Sequence, residues 1–240
     1  MKLRILVLGP DLPKTSDVDI VWVPIIRIKP REGSSMAVLD RLESGYRVIA
    51  FTSPRAPAIL ALDALKYGVF ERLRDAVKQS LVAVVGPETG RSVYARFGVR
   101  HDIMPSRYTS SSLALELVNR GVNNVLLARS SKGLKSINEI LSSHGVLYEE
   151  IHVYDELLDF SNISRVIELV ENRGVDAVLL SSPLIADAFC RHVRGYIGNV
   201  RLYSIGPSTA EVARRICGVD TNYPEKYTYD YAFKLIKLDI

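Results

Sequence analysis

Most of the patterns that announce a chemistry are missing from this 240-residue chain. No G-x-G-x-x-G follows a strand-like run, no G-x-x-x-x-G-K-[S/T] is present and no G-x-S-x-G elbow occurs. Dinucleotide binding, P-loop phosphate binding and serine-hydrolase chemistry therefore lack their usual carriers. The four histidines, His101, His144, His152 and His192, form no H-E-x-x-H or other metal-ligand spacing. Each reads as structural or surface, and neither a metal nor a cofactor is expected.

Cysteine is scarce too. Two residues, Cys190 and Cys217, cannot build a disulfide framework and have no C-x-x-C spacing. Both lie in apolar, helically periodic segments, so they read as buried free thiols in a reducing cytosol. No apolar run approaches the roughly 20 residues needed to span a bilayer. The basic-then-apolar start, Met1–Leu8, ends at Gly9-Pro10 with no cleavage-type sequence after it, and reads as a first strand. Lys and Arg number 31 against 27 Asp and Glu, a net charge of +4. That favours an acidic ligand but is too small and dispersed for nucleic acid, and pairs such as Arg214-Arg215 read as solvated helix faces. The expectation is a cytoplasmic monomer without membrane or nucleic-acid partners.

What is present is an ordinary globular balance, with 48% apolar and 24% charged residues, enough for one large domain or two of roughly 100–130 residues. Continuous Val/Ile/Leu runs suit strands covered on both faces: 4–8, 20–28, 48–51, 81–85, 124–128, 150–154, 176–180 and 200–205. They alternate with helical patterns at 54–66, 87–97, 111–120, 131–144, 161–173, 183–193, 207–217 and 228–236. That order means a parallel, doubly wound α/β architecture.

An internal repeat organises these elements. One strand runs into Thr52-Ser53-Pro54 and the next into Gly86-Pro87-Glu88-Thr89, with Gly98-Val99 closing the helix and Pro105-Ser106-Arg107-Tyr108-Thr109 following. Later, one strand runs into Ser181-Ser182-Pro183 and the next into Gly206-Pro207-Ser208-Thr209, with Gly218-Val219 and then Pro224-Glu225-Lys226-Tyr227-Thr228. The copies are not simple halves. Apolar extended segments near 23–28 and 151–156 read as two linkers. They make 27–153 an inserted α/β domain and 1–26 plus 157–240 a discontinuous one.

The four turns could simply start helices, since Ser at an N-cap and Pro at the first helical position do that in any α/β protein. As a matched set they do more. In a parallel sheet they all fall at the C-terminal strand edge, where free N–H groups, helix N-termini and hydroxyls bind anions. Two domains facing each other would line a cleft suited to a ligand with many carboxylates. Thr52, Ser53, Thr89, Ser181, Ser182, Ser208 and Thr209 would grip it, with Arg55, Arg129 and Arg201 adding charge.

The runs Phe51-Thr52-Ser53-Pro54-Arg55-Ala56, Val85-Gly86-Pro87-Glu88-Thr89, Val153-Tyr154, Ser181-Ser182-Pro183 and Ile205-Gly206-Pro207-Ser208-Thr209-Ala210 resemble, in order, the uroporphyrinogen-III synthase family. The resemblance covers most of the chain from about residue 45 onward. It implies two flavodoxin-like, doubly wound parallel-sheet domains joined by a two-stranded linker. It also implies a cofactor-free lyase that dehydrates and cyclises hydroxymethylbilane, a linear tetrapyrrole with eight carboxylates, inverting ring D through a spirocyclic intermediate. Tyr154 matches the family tyrosine proposed to assist loss of the hydroxyl; its other reading is an aromatic packed at a linker. Arg201 matches a basic residue before the Gly-Pro turn. Two features depart from the family: Pro10–Asp19 is too short and proline-broken for the usual helix, and Ser181 replaces a bulkier residue. A non-catalytic two-domain sensor or binding protein for an acidic small molecule is the competing function, although neither an output domain nor a secretion signal accompanies it. An oligomeric scaffold has no feature in its favour.

Overall fold

The computed structural model describes residues 3–13, 18–198 and 200–240. The middle of the Pro10–Asp19 segment, residues 14–17, lies outside the described residues. The chain divides into two compact units, Met1–Ile28 with Leu157–Ile240, and Lys29–Glu156. The junctions fall two to three residues beyond the expected 26 and 153, because they lie inside continuous strands rather than at a change of composition.

The inserted unit contains β4 (Val48–Phe51), β5 (Leu81–Val84), β6 (Asn124–Ser130) and β7 (Leu147–Leu158), in spatial order β5-β4-β6-β7 and all parallel. A further strand, β3 (Ile26–Pro30), lies beside β7 at the sheet edge. Alternate residues face opposite sides, as strand geometry requires. Val48, Ala50, Ala83, Val125 and Leu127 pack against α5 (Ser110–Asn119) and α6 (Ser136–Ser143) through Leu113, Leu117, Ile137 and Leu141. Ile49, Phe51, Val82, Val84 and Leu126 are equally buried on the other side. There α1 (Ser34–Glu43), α2 (Arg55–Lys66), α3 (Phe70–Gln79) and α4 (Pro87–Phe97) pack.

The discontinuous unit contains β1 (Arg4–Val7), β2 (Asp19–Trp22), β8 (Ala177–Leu180) and β9 (Arg201–Ser204), in order β9-β8-β1-β2 and all parallel. Leu6, Val178, Leu180 and Leu202 pack with α7 (Phe160–Glu171), α8 (Pro183–Val193) and α9 (Pro207–Cys217). Ile5, Val7, Ala177, Leu179 and Tyr203 meet α10 (Tyr229–Asp239) through Ala232, Phe233 and Ile236. Read from β8 onward, this unit has the same strand order as the inserted one. It is a circular permutation of it, which is why the repeat does not divide the sequence into halves.

Several sequence expectations are corrected. The run 20–28 is two strands, since Pro24 has no N–H for a ladder. The expected 131–144 helix starts only at Ser136, because the preceding residues wrap a buried arginine. Helices α1 and α3 were absent from the sequence reading. The first lacks a cap of its own: Gly33 occupies the N-cap, and Asp63 of α2 accepts from Gly33 N at 3.1 Å, Ser35 N at 2.8 Å and Ser35 Oγ at 2.6 Å. A cap supplied 28 residues away leaves no local signature.

The free-thiol expectation is also overturned. Helices α8 and α9 lie side by side, and Cys190 and Cys217 form a disulfide with Cα atoms 5.0 Å apart. The argument for a reducing compartment from free thiols falls with it. The bond closes a loop across 27 residues of sequence inside the main core cluster. Replacing both cysteines with alanine should lower unfolding free energy by about 3 kcal/mol, read from urea denaturation of the oxidised protein. An unchanged midpoint would show that the link adds no constraint.

Candidate functional site

In each unit the parallel strands end on one edge, and the turns leading into helices lie there. In the inserted unit, β4 ends in Thr52 and Ser53, both partly exposed. Ser53 Oγ accepts from Arg55 N at 3.1 Å and from the Tyr154 hydroxyl at 2.8 Å. A hydroxyl has two acceptor positions and one proton. With both acceptor positions filled, the Ser53 proton is what remains to be donated. Tyr154 is only 2% exposed. Burial first, then the Glu156 charge, raise its pKa above the usual phenol value, outweighing Ser53 and Arg55 beside it. Tyr154 is therefore a buried hydrogen-bond donor to Ser53.

The tail of β7 carries three consecutive polar anchors. A register shift between Arg129 and Ser130 pairs Ser130 with Tyr154 instead of Val153. Such bulges re-aim side chains at strand ends. Asp155 takes a bidentate contact from Arg31 (Nη2–Oδ1 2.8 Å, Nε–Oδ2 3.0 Å) and a hydrogen bond from Ser131 Oγ at 2.5 Å. Those bonds hold its carboxyl down to about 2. Glu156 accepts from Ser130 Oγ at 2.6 Å.

The two Gly-Pro turns share a design. Gly86 and Gly206 have extended backbones open to any residue. Their glycine is demanded by packing: a Cβ would meet the ring system of Tyr108 or Tyr227 at 3.1–3.2 Å. The repeated Pro-x-[Arg/Lys]-Tyr-Thr thus exists to lay a tyrosine on each turn, and Thr109 caps α5 by accepting from Ser112 N at 3.1 Å. Thr89 and Thr209, expected to grip carboxylates, are 1% and 2% exposed. Their hydroxyls are inside the packing, and the accessible donors of these turns are the first backbone N–H groups and partly exposed Ser208. Ser182 Oγ accepts from Ile185 N at 3.3 Å, and Ser181 lies partly exposed beside it. Gly9-Pro10, which the sequence marks only as the end of the first strand, is a further turn at this edge after β1. Trp22 Nε1 donates to Gly9 O at 2.9 Å, and a Cβ on Gly9 would meet Ser181 Oγ at 3.0 Å. A third Gly-Pro following a strand was the available signal.

Two expected cations are used otherwise. Arg129 is 1% exposed, with Nη2 donating to Leu134 O at 2.8 Å and Nη1 to Asn138 Oδ1 at 3.3 Å. Burial lowers its pKa against the opposing Glu150 and Tyr154. Burial raises that of Glu150, but hydrogen bonds from Asn138 and His152, with the Arg129 charge, carry it below the usual value. The chain passes over this guanidinium at Gly133, where a Cβ would stand 1.8 Å from Nη2. Arg129 is enclosed by the 131–135 loop, which it holds through Leu134 O. Arg201 opens β9, at the edge opposite the Gly206 turn, and its guanidinium bonds Asp239 O. A residue three positions before a strand's end is about 10 Å from that end. Arg129→Ala should cost roughly 3 kcal/mol of stability, measured by denaturant titration, because it strands Glu150 and the loop carbonyl. Arg201→Ala should leave stability within about 0.5 kcal/mol and ligand affinity unchanged.

The fold and these turns have known counterparts. A protein of Methanocaldococcus jannaschii, provisionally named a uroporphyrinogen-III synthase, is 27% identical over 208 residues, 83% of this chain and 82% of its own. A mutant uroporphyrinogen III synthase from the extremely thermophilic bacterium Thermus thermophilus superposes with a TM-score of 0.70 at 16% identity, over 99% of this chain and 97% of that one. Uroporphyrinogen-III synthetase from Helicobacter pylori 26695 gives 0.67 at 14% identity, over 99% and 100%. At such identities the superpositions speak for the fold. The sequence profile described as uroporphyrinogen-III synthase HemD matches residues 13–234. With that match running through both units, this chain belongs to the uroporphyrinogen-III synthase family.

Proposed function

We propose that this chain carries out the reaction of its family, closing hydroxymethylbilane to uroporphyrinogen III with loss of water, without a cofactor and as a cytoplasmic monomer. The observation that carries the site assignment is the Tyr154–Ser53–Arg55 cluster, in which a partly exposed serine oxygen accepts two hydrogen bonds and keeps its proton for donation. Thr52, Ser53, Ser181, Ser182 and Ser208, with the helix N-termini behind them, are the donors for substrate carboxylates. Arg55 stands at the start of α2 beside them. Cytoplasmic placement is compatible with the disulfide, whose cysteines are 1% and 4% exposed and so shielded from soluble thiols.

The chemistry asks little of proton transfer. The C–O bond of the hydroxymethyl group breaks with its electron pair on oxygen, which takes up a proton from solvent and leaves as water; the proton released at the end of the reaction returns it. The pyrrole nitrogen supplies the electrons that form a C=N bond, so positive charge appears on the ring. The substituted α-carbon of the far pyrrole attacks the cationic methylene to form a spirocycle, and its bond to the original methylene bridge then breaks. The freed methylene is attacked by the other α-carbon of the same ring, and loss of the proton on that carbon restores neutrality. A buried phenol above its usual pKa of about 10 is a poor proton source at neutral pH but a good hydrogen-bond donor. Tyr154 polarises Ser53, and Ser53 is the group for the departing oxygen. The larger contribution is holding a flexible chain in its ring-forming conformation.

Freshly made hydroxymethylbilane closes unaided to the type I isomer. Added protein should divert it to type III, resolved as oxidised porphyrins by chromatography. Type I alone would sink the reading and leave a binding protein for an acidic molecule. Tyr154→Phe should lower kcat about tenfold, the value of one hydrogen bond of ~1.4 kcal/mol, with the fold retained by circular dichroism. A rate equal to that of the unaltered protein would make Tyr154 a packing residue.

A further inference from the structure

A carboxylate stands where a polyanion site should avoid one. Glu156 lies two residues beyond Tyr154 on β7, and residues two apart on a strand share a face. It is partly exposed at the same strand edge as Ser53. Its carboxylate is fixed: Ser130 Oγ donates to it at 2.6 Å, and Ser130 is itself oriented by accepting from Lys132 N at 3.1 Å. That partner is neutral. Asp155, by contrast, points the other way and is matched by Arg31 and Ser131. Repulsion between Glu156 and substrate carboxylates weakens ground-state binding. A group kept at such a cost is explained if it interacts more strongly with the transition state than with the substrate.

We propose that Glu156 stabilises the positive charge that forms on the substrate pyrrole as the hydroxyl departs. The inference rests on the synthase reading, and on the hydroxymethyl group lying at the Ser53–Tyr154 end of the inserted unit. The pyrrole nucleus, apart from its carboxylate side chains, is neutral before the C–O bond breaks and cationic after. The attraction to Glu156 therefore appears only along the reaction, while its repulsion of carboxylates is present throughout. No proton moves to or from Glu156 in this role, and Ser130 holds the carboxylate ready so that no reorientation is needed. Burial first, and then the same charge, favour the phenol form of Tyr154.

Opposite signs in binding and turnover make the role testable. Gln in place of Glu156 keeps an oxygen for Ser130 and removes only the charge. Glu156→Gln should lower kcat for type III formation roughly ten- to a hundredfold. KM should be unchanged or lower, as should the Kd for uroporphyrin III measured by fluorescence titration, with the thermal midpoint unmoved. An unchanged kcat would overturn the proposal, and so would a rise in KM and Kd together with a fall in melting temperature, the pattern of a structural role. If the Gln variant does not fold, Glu156→Asp and Glu156→Asn differ by charge alone, and equal rates from that pair would overturn it as well. Failure of the unaltered protein to make type III removes the synthase reading itself. Type III formation with a fully active Gln variant removes only the role of Glu156.

Discussion

Burial of a parallel sheet on both faces is the constraint from which the rest follows. Strands that are apolar on both sides leave nowhere for polar groups except the strand ends. Because all strands of a unit run the same way, every C-terminal end meets one edge, and every following helix begins there with unpaired N–H groups. Strand order 2-1-3-4 occurs in both units, read from β4 in one and from β8 in the other. Each unit therefore presents a central-strand turn, Ser-Pro, next to an edge-strand turn, Gly-Pro. The permutation preserves this pairing because cutting the chain elsewhere does not alter which strands are neighbours.

The fold already contains a carboxylate bound in this way. Asp63 sits on the N-terminus of α1, 8% exposed, and takes two backbone N–H groups and a serine hydroxyl. The same kinds of donor stand at the functional turns, where no carboxylate among the described residues occupies them in the same manner. Some groups that resemble ligand contacts on paper serve internal order. The hydroxyls of Thr89 and Thr209 are within the packing, and the Arg129 guanidinium is the post around which a loop is wound. What is left at the surface is a set of neutral donors, a kind of group that suits carboxylates without the long-range pull of a cation.

The end of β7 combines opposing demands. Tyr154, Asp155 and Glu156 are consecutive, yet one is a buried donor to a serine, one is paired with an arginine, and one is held by a serine hydroxyl. The bulge at Arg129/Ser130 allows this, since without the shift Ser130 would oppose Val153.

Much was legible in the sequence. Continuous apolar runs gave the strands, Pro-started helices gave α4, α8 and α9 with their observed bounds, and the ordered turns gave the duplication and the family. These signals are local: a strand's burial, a cap and a turn are written in neighbouring residues. The remainder depended on partners far apart in sequence. Helix α1 begins where it does because of Asp63, Cys190 meets Cys217 because two helices pack, and Gly86 is glycine because Tyr108 lies on it. Tyr154 meets Ser53 across β6, beside the point where the pairing of β7 with β6 slips by one residue. Sequence determined which segments would be strands and helices and which turns carry donors, since those follow from the chemistry of adjacent residues. Tertiary structure decided which hydroxyls and charges remain free to act, since that depends on what else is brought against them.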